Sequence, residues 1–277
     1  MKSIALGQYY AAPSAIHRLD PRTKVILATC YIVCTFICKN VIAFGVLLAS
    51  AMFLIALSKI PFKVIFTSLR AIFFIMLFTV IINIFWTTGE TLLFKWNFIK
   101  IYAEGIYNAV FMAVRIVVLI VGTSLFLTYT TTPIQLTDAI ERLFAPLKKI
   151  KVPVHEFAMM MTIALRFVPT LMEETERIMS AQKARGADFT SGSLIKRARA
   201  LIPILVPLFV SSFRRADELA TAMESRCYHG GEGRTKMTVT KMSAKDAVAI
   251  LLIIGFGVSI VLINIFTSKY GIGYSMS

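Results

Sequence analysis

Arginine flanked by small residues occurs twice at the ends of long amphipathic stretches: as Ala184-Arg185-Gly186 and, 41 positions later, as Ser225-Arg226-Cys227. Small flanks let a helix end approach another surface closely, and a guanidinium presents a planar fork of donors suited to a carboxylate. The chemistry this favours is recognition. Gly186 also stands where a helix C-terminus favours a left-handed residue, and Lys183 and Arg185 complement the negative end of a helix dipole. An ordinary terminal cation is therefore the local alternative. Repetition on two long helices points past it, to two docking points on a partner.

Chemistry of other kinds finds little support. No Gly-x-x-x-x-Gly-Lys-Ser/Thr loop is present to cradle ATP phosphates, and no His-Glu-x-x-His pattern to hold zinc. His17, His155 and His229 stand far apart, and Glu232 after His229-Gly230-Gly231 is too sparse for a metal site. Cys30, Cys34 and Cys38 share one face of the first apolar stretch, but three thiols on one helix do not close a tetrahedron. They read as small, buried, inert side chains, with no disulfide indicated. The expectation is a non-catalytic chain without cofactor or metal. Ion coupling usually needs an acidic residue deep in a span, and none is seen. Arg115 is the clear charge inside an apolar stretch, read as structural, paired with another subunit or snorkelling to an interface. Energy for any transport must then arrive from elsewhere.

The elements that carry these residues are membrane helices. The chain has 277 residues, of which 57% are hydrophobic and 16% charged, with a mean hydropathy of +0.74. A soluble domain is excluded as the main reading. The net charge of +15 falls in short loops and one long segment, as the positive-inside rule expects, and the phenylalanines lie mostly in apolar spans. Nucleic acid is not an expected partner. Residues 1–24 are polar and show no cleavable signal pattern.

Val25 to Leu57 would make a helix of about 50 Å, well beyond a bilayer core. It is expected to fold as a hairpin turning at Lys39-Asn40, with Lys24 and Lys39 snorkelling. A third span is expected over Val64–Trp86 with Arg70 near its start, a loop over 87–105, a fourth span over Ile106–Tyr129 and a last over Ala247–Phe266. The fold class is thus an all-α integral membrane protein of about five transmembrane helices plus long amphipathic helices on the cytoplasmic side. Three regions follow: 1–129 with four spans, 130–246, and 247–277. Region 130–246 holds 12 of the 15 acidic residues. It reads as a short helix over Pro133–Leu147 capped by Thr132, then His155–Arg185 bent at Pro169, then Leu194–Arg226 bent near Pro203 and Pro207. Lysine and arginine in the short segments favour a cytoplasmic N-terminus. Lys148, Lys149 and Lys151 read as lipid-interface anchors. Arg214-Arg215-Ala216-Asp217-Glu218 reads as a solvated stretch with Arg214 and Glu218 one turn apart.

Within His155–Arg185, Leu171, Met172, Thr175, Ile178, Met179 and Gln182 form a stripe with carboxylates opposite. Together with Met159, Met160 and Met161, these methionines suit an adaptable contact surface as well as they suit core gaps.

The chain resembles the transmembrane T component of energy-coupling factor transporters, the CbiQ/EcfT-like family. The N-terminal run Gly7-Gln8-Tyr9, then Ser14-Ala15-Ile16-His17-Arg18-Leu19-Asp20-Pro21-Arg22-Thr23-Lys24, and the triplets 184–186 and 225–227 carry the likeness, which covers nearly the whole chain. The second triplet departs from it, with Ser-Arg-Cys where Ala-Arg-Gly is expected. The resemblance implies two coupling helices whose triplets, Ala184, Arg185, Gly186 and Ser225, Arg226, Cys227, sit in grooves on two cytoplasmic ATPase subunits. It also implies a separate small substrate-binding membrane subunit riding on Met159, Met160, Met161, Met172 and Met179. The setting would be a bacterial cell membrane and the task vitamin uptake. The alternatives are a cobalt or nickel uptake system, a self-contained permease, and a membrane scaffold without transport. Locally, Asp20-Pro21-Arg22 reads as a turn that sets the start of the first span.

Overall fold

A computed structural model describes residues 9–10, 12–89, 91–96, 99–189, 191, 193–231 and 242–270. It divides into two compact units, Met1–Ala139 with Thr240–Ser277, and Ile140–Val239.

In the first unit, α1 (Pro21–Ile37) starts where Asp20 Oδ1 accepts the Arg22 amide at 2.9 Å, with Pro21 supplying a preset φ. The chain turns at Cys38–Asn40 into α2 (Val41–Ser58), so the expected hairpin forms. Lys59 takes the left-handed conformation at the end of α2, and α3 (Phe62–Trp86) follows Pro61. Residues 87–105 hold more structure than a loop. Strands β1 (Leu92–Trp96) and β2 (Ile99–Tyr102) pair antiparallel before α4 (Ala103–Thr123), which ends in a π-turn over Ser124–Thr128. α5 (Pro133–Leu143) opens with a reciprocal cap. The Gln135 amide donates to Thr132 Oγ1 at 3.3 Å, and the Thr132 amide donates to Gln135 Oε1 at 3.2 Å. Pro146 follows in a 3-10 turn over Ala145–Ile150, so α5 stops short of Leu147. After the second unit, α8 (Ala244–Tyr270) completes the first.

Among the described residues, four helices are long and apolar enough to cross a membrane: Val41–Ser58, Phe62–Trp86, Ala103–Thr128 and Ala244–Thr267. α1 has 17 residues, about 26 Å, against roughly 30 Å of hydrocarbon. The reason is its place. α1 packs against α4 and α8, and its Tyr31 and Cys34, with Cys38 just after it, join Phe44, Leu47, Val118 and Ile260 in the core. A helix packed against protein on part of its surface needs less apolar surface than one facing lipid all round, and Val33, Phe36 and Ile37 form the exposed side of α1. α3 is the opposite case, with Phe66, Phe74 and Phe78 projecting outward. Gly122 leaves room for the Tyr31 ring against α4, where a Cβ would collide.

One sequence expectation changes here. Lys24 does not snorkel. It is 1% exposed, and its Nζ donates to Thr130 O at 2.7 Å and His17 O at 3.2 Å. Arg115 takes up the structural role read for it, at the turn that ends α1. Its Nη2 donates to Cys38 O at 3.0 Å, with the guanidinium 5.3 Å from the Phe44 ring centre. Asn264 Nδ2 donates to Ile37 O at 2.7 Å. The last carbonyls of α1 are thus capped by side chains from α4 and α8, as orphan groups inside a membrane demand.

The second unit contains α6 (Val154–Ala184), continuous through Pro169, and α7 (Leu194–Glu224), continuous through Pro203 and Pro207. Both lie within two residues of the spans read from periodicity.

A candidate docking site at two helix ends

Each candidate triplet closes one of these helices, and the hydrogen bonds show how. At the end of α6, the Gly186 amide donates to Lys183 O at 3.0 Å and the Ala187 amide to Gln182 O at 3.0 Å. At the end of α7, the Cys227 amide donates to Glu224 O at 2.8 Å and the Tyr228 amide to Met223 O at 3.1 Å. These are the same pair of bonds, the Schellman arrangement, shifted by 41 positions. Gly186 has φ +86° and Cys227 φ +55°. The Ser-Arg-Cys departure therefore keeps the geometry, at the cost of placing a side chain in a left-handed conformation that favours glycine. A ring nitrogen of His229, Nδ1, donates to Cys227 O at 2.8 Å and holds that turn.

The result is one arginine in equivalent position on each helix. Ala184, Arg185, Gly186, Ser225, Arg226 and Cys227 are all exposed. Neither Arg185 nor Arg226 forms a side-chain hydrogen bond or ion pair among the described residues. Each guanidinium keeps its five donors available for an oxygen acceptor on another molecule. Asp188 bonds Ser191 through both carboxylate oxygens beyond the first end, and Ser193 Oγ accepts the Lys196 amide at 3.4 Å to start α7.

One link between the two helices went unread in the sequence. Arg215 Nη2 reaches Glu174 Oε2 at 3.4 Å. Arg214, assigned there to an i,i+4 pair with Glu218, forms none among the described residues. The signal was present in the numbering, since Glu174 and Arg215 are also 41 positions apart.

The five methionines do not form one patch. Met161, Met172 and Met179 fall within about 20° of one another around a regular helix, while Met159 and Met160 turn to other sides. Met160, Met161 and Met172 are exposed, and Met159 and Met179 half-buried. Leu171, Thr175, Ile178, Met179 and Gln182 of the expected stripe are half-buried. α7 presents a matching apolar surface, with Leu205, Phe209 and Phe213 exposed.

A second polar cluster lies in the first unit, where the N-terminal run meets other elements. Asp246 is 2% exposed, and its Oδ1 accepts the Asp20 amide at 2.8 Å while its Oδ2 accepts the Ser243 amide at 2.7 Å. His17 bonds Ser14 Oγ at 2.6 Å through Nδ1 and Tyr10 O at 2.8 Å through Nε2. The Tyr10 amide donates to Tyr129 O at 3.0 Å. The N-terminal run is thus a clasp on the end of α4 and the start of α8. Asp20 capping α1 agrees with the local turn expected of it.

Among the described residues, no group of three His, Cys, Asp or Glu is placed to hold a metal ion. The profile of the CbiQ family, described as cobalt transport protein, matches residues 12–237. The energy-coupling factor transporter transmembrane protein EcfT of Clostridium kluyveri is 54% identical over 252 residues, covering 91% of this chain and 93% of that protein. The protein of the same name from Bacillus subtilis is 47% identical over 254 residues, covering 92% and 96%. A match of this extent leaves one placement: the chain is a membrane protein that belongs to the CbiQ family, among the EcfT transmembrane proteins of energy-coupling factor transporters.

Proposed function

We propose that this chain is a non-catalytic coupling subunit, which transmits the motion of two separate ATPase subunits to a small substrate-binding membrane protein. Arg185 and Arg226 are the docking residues, one for each ATPase, with Ala184, Gly186, Ser225 and Cys227 as the close flanks. The observation that carries this reading is the equivalence of the two helix ends: the same bond pattern, with the same exposed cation next to the left-handed residue. When the ATPases move on binding and hydrolysing ATP, α6 and α7 move with them. The substrate-binding protein rides on the side of α6 that carries exposed Met161 and Met172 with half-buried Met179, while Met159 and Met160, on other sides of the helix, fall outside this contact. The amino terminus and the region 130–246 face the cytoplasm, and α1 counts as a fifth crossing. Cargo is chosen by the substrate-binding protein, and the reading favours vitamins; the family description names cobalt, while the relatives' names specify no cargo.

Co-purification of the full chain with its ATPases tests the reading. The double variant R185E/R226E is expected to insert in the membrane normally and to lose at least thirtyfold in ATPase recovery, since each replacement opposes a charge at a desolvated contact. Wild-type recovery from that variant, or substrate movement by the chain without any ATPase, overturns it.

A further inference from the structure

In the first unit an open groove of about 740 Å³ lies between the N-terminal run, the end of α2 and the start of α8. Its walls are apolar, including Ile16, Leu19, Leu57, Val248 and Leu252, while Arg18, Lys59 and Lys245 stand around it. All three cations are exposed, and none forms an ion pair among the described residues. The neighbouring carboxylates are turned inward, Asp20 being 5% and Asp246 2% exposed. Two of the three lysine or arginine positions run against local preference. Lys245 sits in the first turn of α8, at the positive end of the helix dipole, and Lys59 holds a left-handed conformation suited to glycine. An anion at the groove would offset the first of these costs.

We propose that this groove binds one anionic glycerophospholipid, its phosphate among Arg18, Lys59 and Lys245 and an acyl chain along Leu57, Val248 and Leu252. Charge complementarity selects the headgroup. The apolar walls select the chain, and the helix ends that frame the groove place it where the apolar span of α2 ends and that of α8 begins, at headgroup depth. Free phosphate satisfies only the cations and leaves the walls wet. The proposal is independent of the coupling reading, because it uses none of the residues of α6 or α7.

Native mass spectrometry of the full chain released from detergent, with added phosphatidylglycerol or phosphatidylcholine, tests it. Wild type is expected to retain one phosphatidylglycerol in preference to phosphatidylcholine, and millimolar inorganic phosphate is expected not to displace it. The variant R18Q/K59Q/K245Q is expected to bind phosphatidylglycerol about a hundredfold more weakly, about fivefold per cation. L57W, which fills the groove and keeps every charge, is expected to lose the same lipid while melting as wild type does. Equal retention of both lipids by wild type, displacement by inorganic phosphate, or full retention in either variant overturns the proposal.

Discussion

Arg215 of α7 meets Glu174 of α6 at 3.4 Å, and each stands eleven residues before the arginine of its own terminal triplet. The two arms from this contact to the helix ends are therefore of equal length, about 16 Å by helical rise. An unequal pairing would give one end a longer reach than the other.

Breaking this link is expected to affect coupling more than stability. The pair is 33% and 28% exposed, so solvent screening limits its worth to about 0.5 kcal/mol. Glu174→Gln or Arg215→Gln is expected to leave melting within about 2 °C of wild type and ATPase recovery unchanged. Substrate uptake per ATP hydrolysed, measured in proteoliposomes, is expected to fall severalfold, and the exchange E174R/R215E to restore part of it. Unchanged uptake per ATP in both single variants removes the crossing from the mechanism.

The left-handed residues offer a second test, through opposite signs. Gly186→Ala places a side chain at φ +86° and is expected to destabilise the end of α6 by about 1 kcal/mol. Cys227→Gly relieves the same strain at φ +55° and is expected to stabilise the end of α7 by up to about 1 kcal/mol. Amide hydrogen exchange at Ala187 and Tyr228 reads each change directly. Faster exchange at Tyr228 in the Cys227→Gly protein would contradict the strain argument.

Cys227 also serves as a reporter of docking. It is exposed, whereas Cys34 and Cys38 are buried and Cys30 half-buried. A water-soluble maleimide is expected to modify Cys227 first in the isolated chain. In the complex with the ATPases its labelling is expected to slow at least tenfold, because Arg226 beside it is covered. Equal labelling in both states speaks against an ATPase seated on this end.

Lys24 is expected to be the most sensitive single position in the first unit. Lys24→Met leaves Thr130 O without that donor and removes the positive charge that acts on Asp20 and Asp246. Removing one partner of a buried charged cluster costs about 3–5 kcal/mol, which lowers melting in detergent by about 10 °C. Asp246→Asn keeps an oxygen for the Asp20 amide but turns an NH2 group toward the Ser243 amide and removes a charge beside Lys24, so it is expected to cost about 2–3 kcal/mol. A surface lysine would show neither effect.

Features written in local sequence were legible before the structure. The turn at Lys39-Asn40, the cap at Thr132 and the limits of α6 and α7 follow from breakers, caps and helical periodicity, which act within a few residues. Both arginine triplets were visible for the same reason. Long-range partners were not. Lys24 read as a snorkelling cation because nothing adjacent reveals that Thr130 O lies above it, 106 residues away. Asp246 read as one more charge of a polar segment, although it accepts an amide 226 residues earlier in the chain. Arg115 could not be matched to Cys38 O, because backbone carbonyls leave no mark in composition. The strands Leu92–Trp96 and Ile99–Tyr102 were hidden by their shortness, and the Schellman turn at Cys227 by its lack of glycine.

The clasp formed by the N-terminal run sets an order on synthesis. At about 5–20 residues per second, Lys24 leaves the ribosome roughly 5–20 s before Thr130 is made. The Asp20 amide waits roughly 10–45 s for Asp246. During that interval α1, short and carrying an unsatisfied ammonium, has no finished bundle to enter. Until α8 is translated α1 lacks these partners, so a helix made late locks one made early into place.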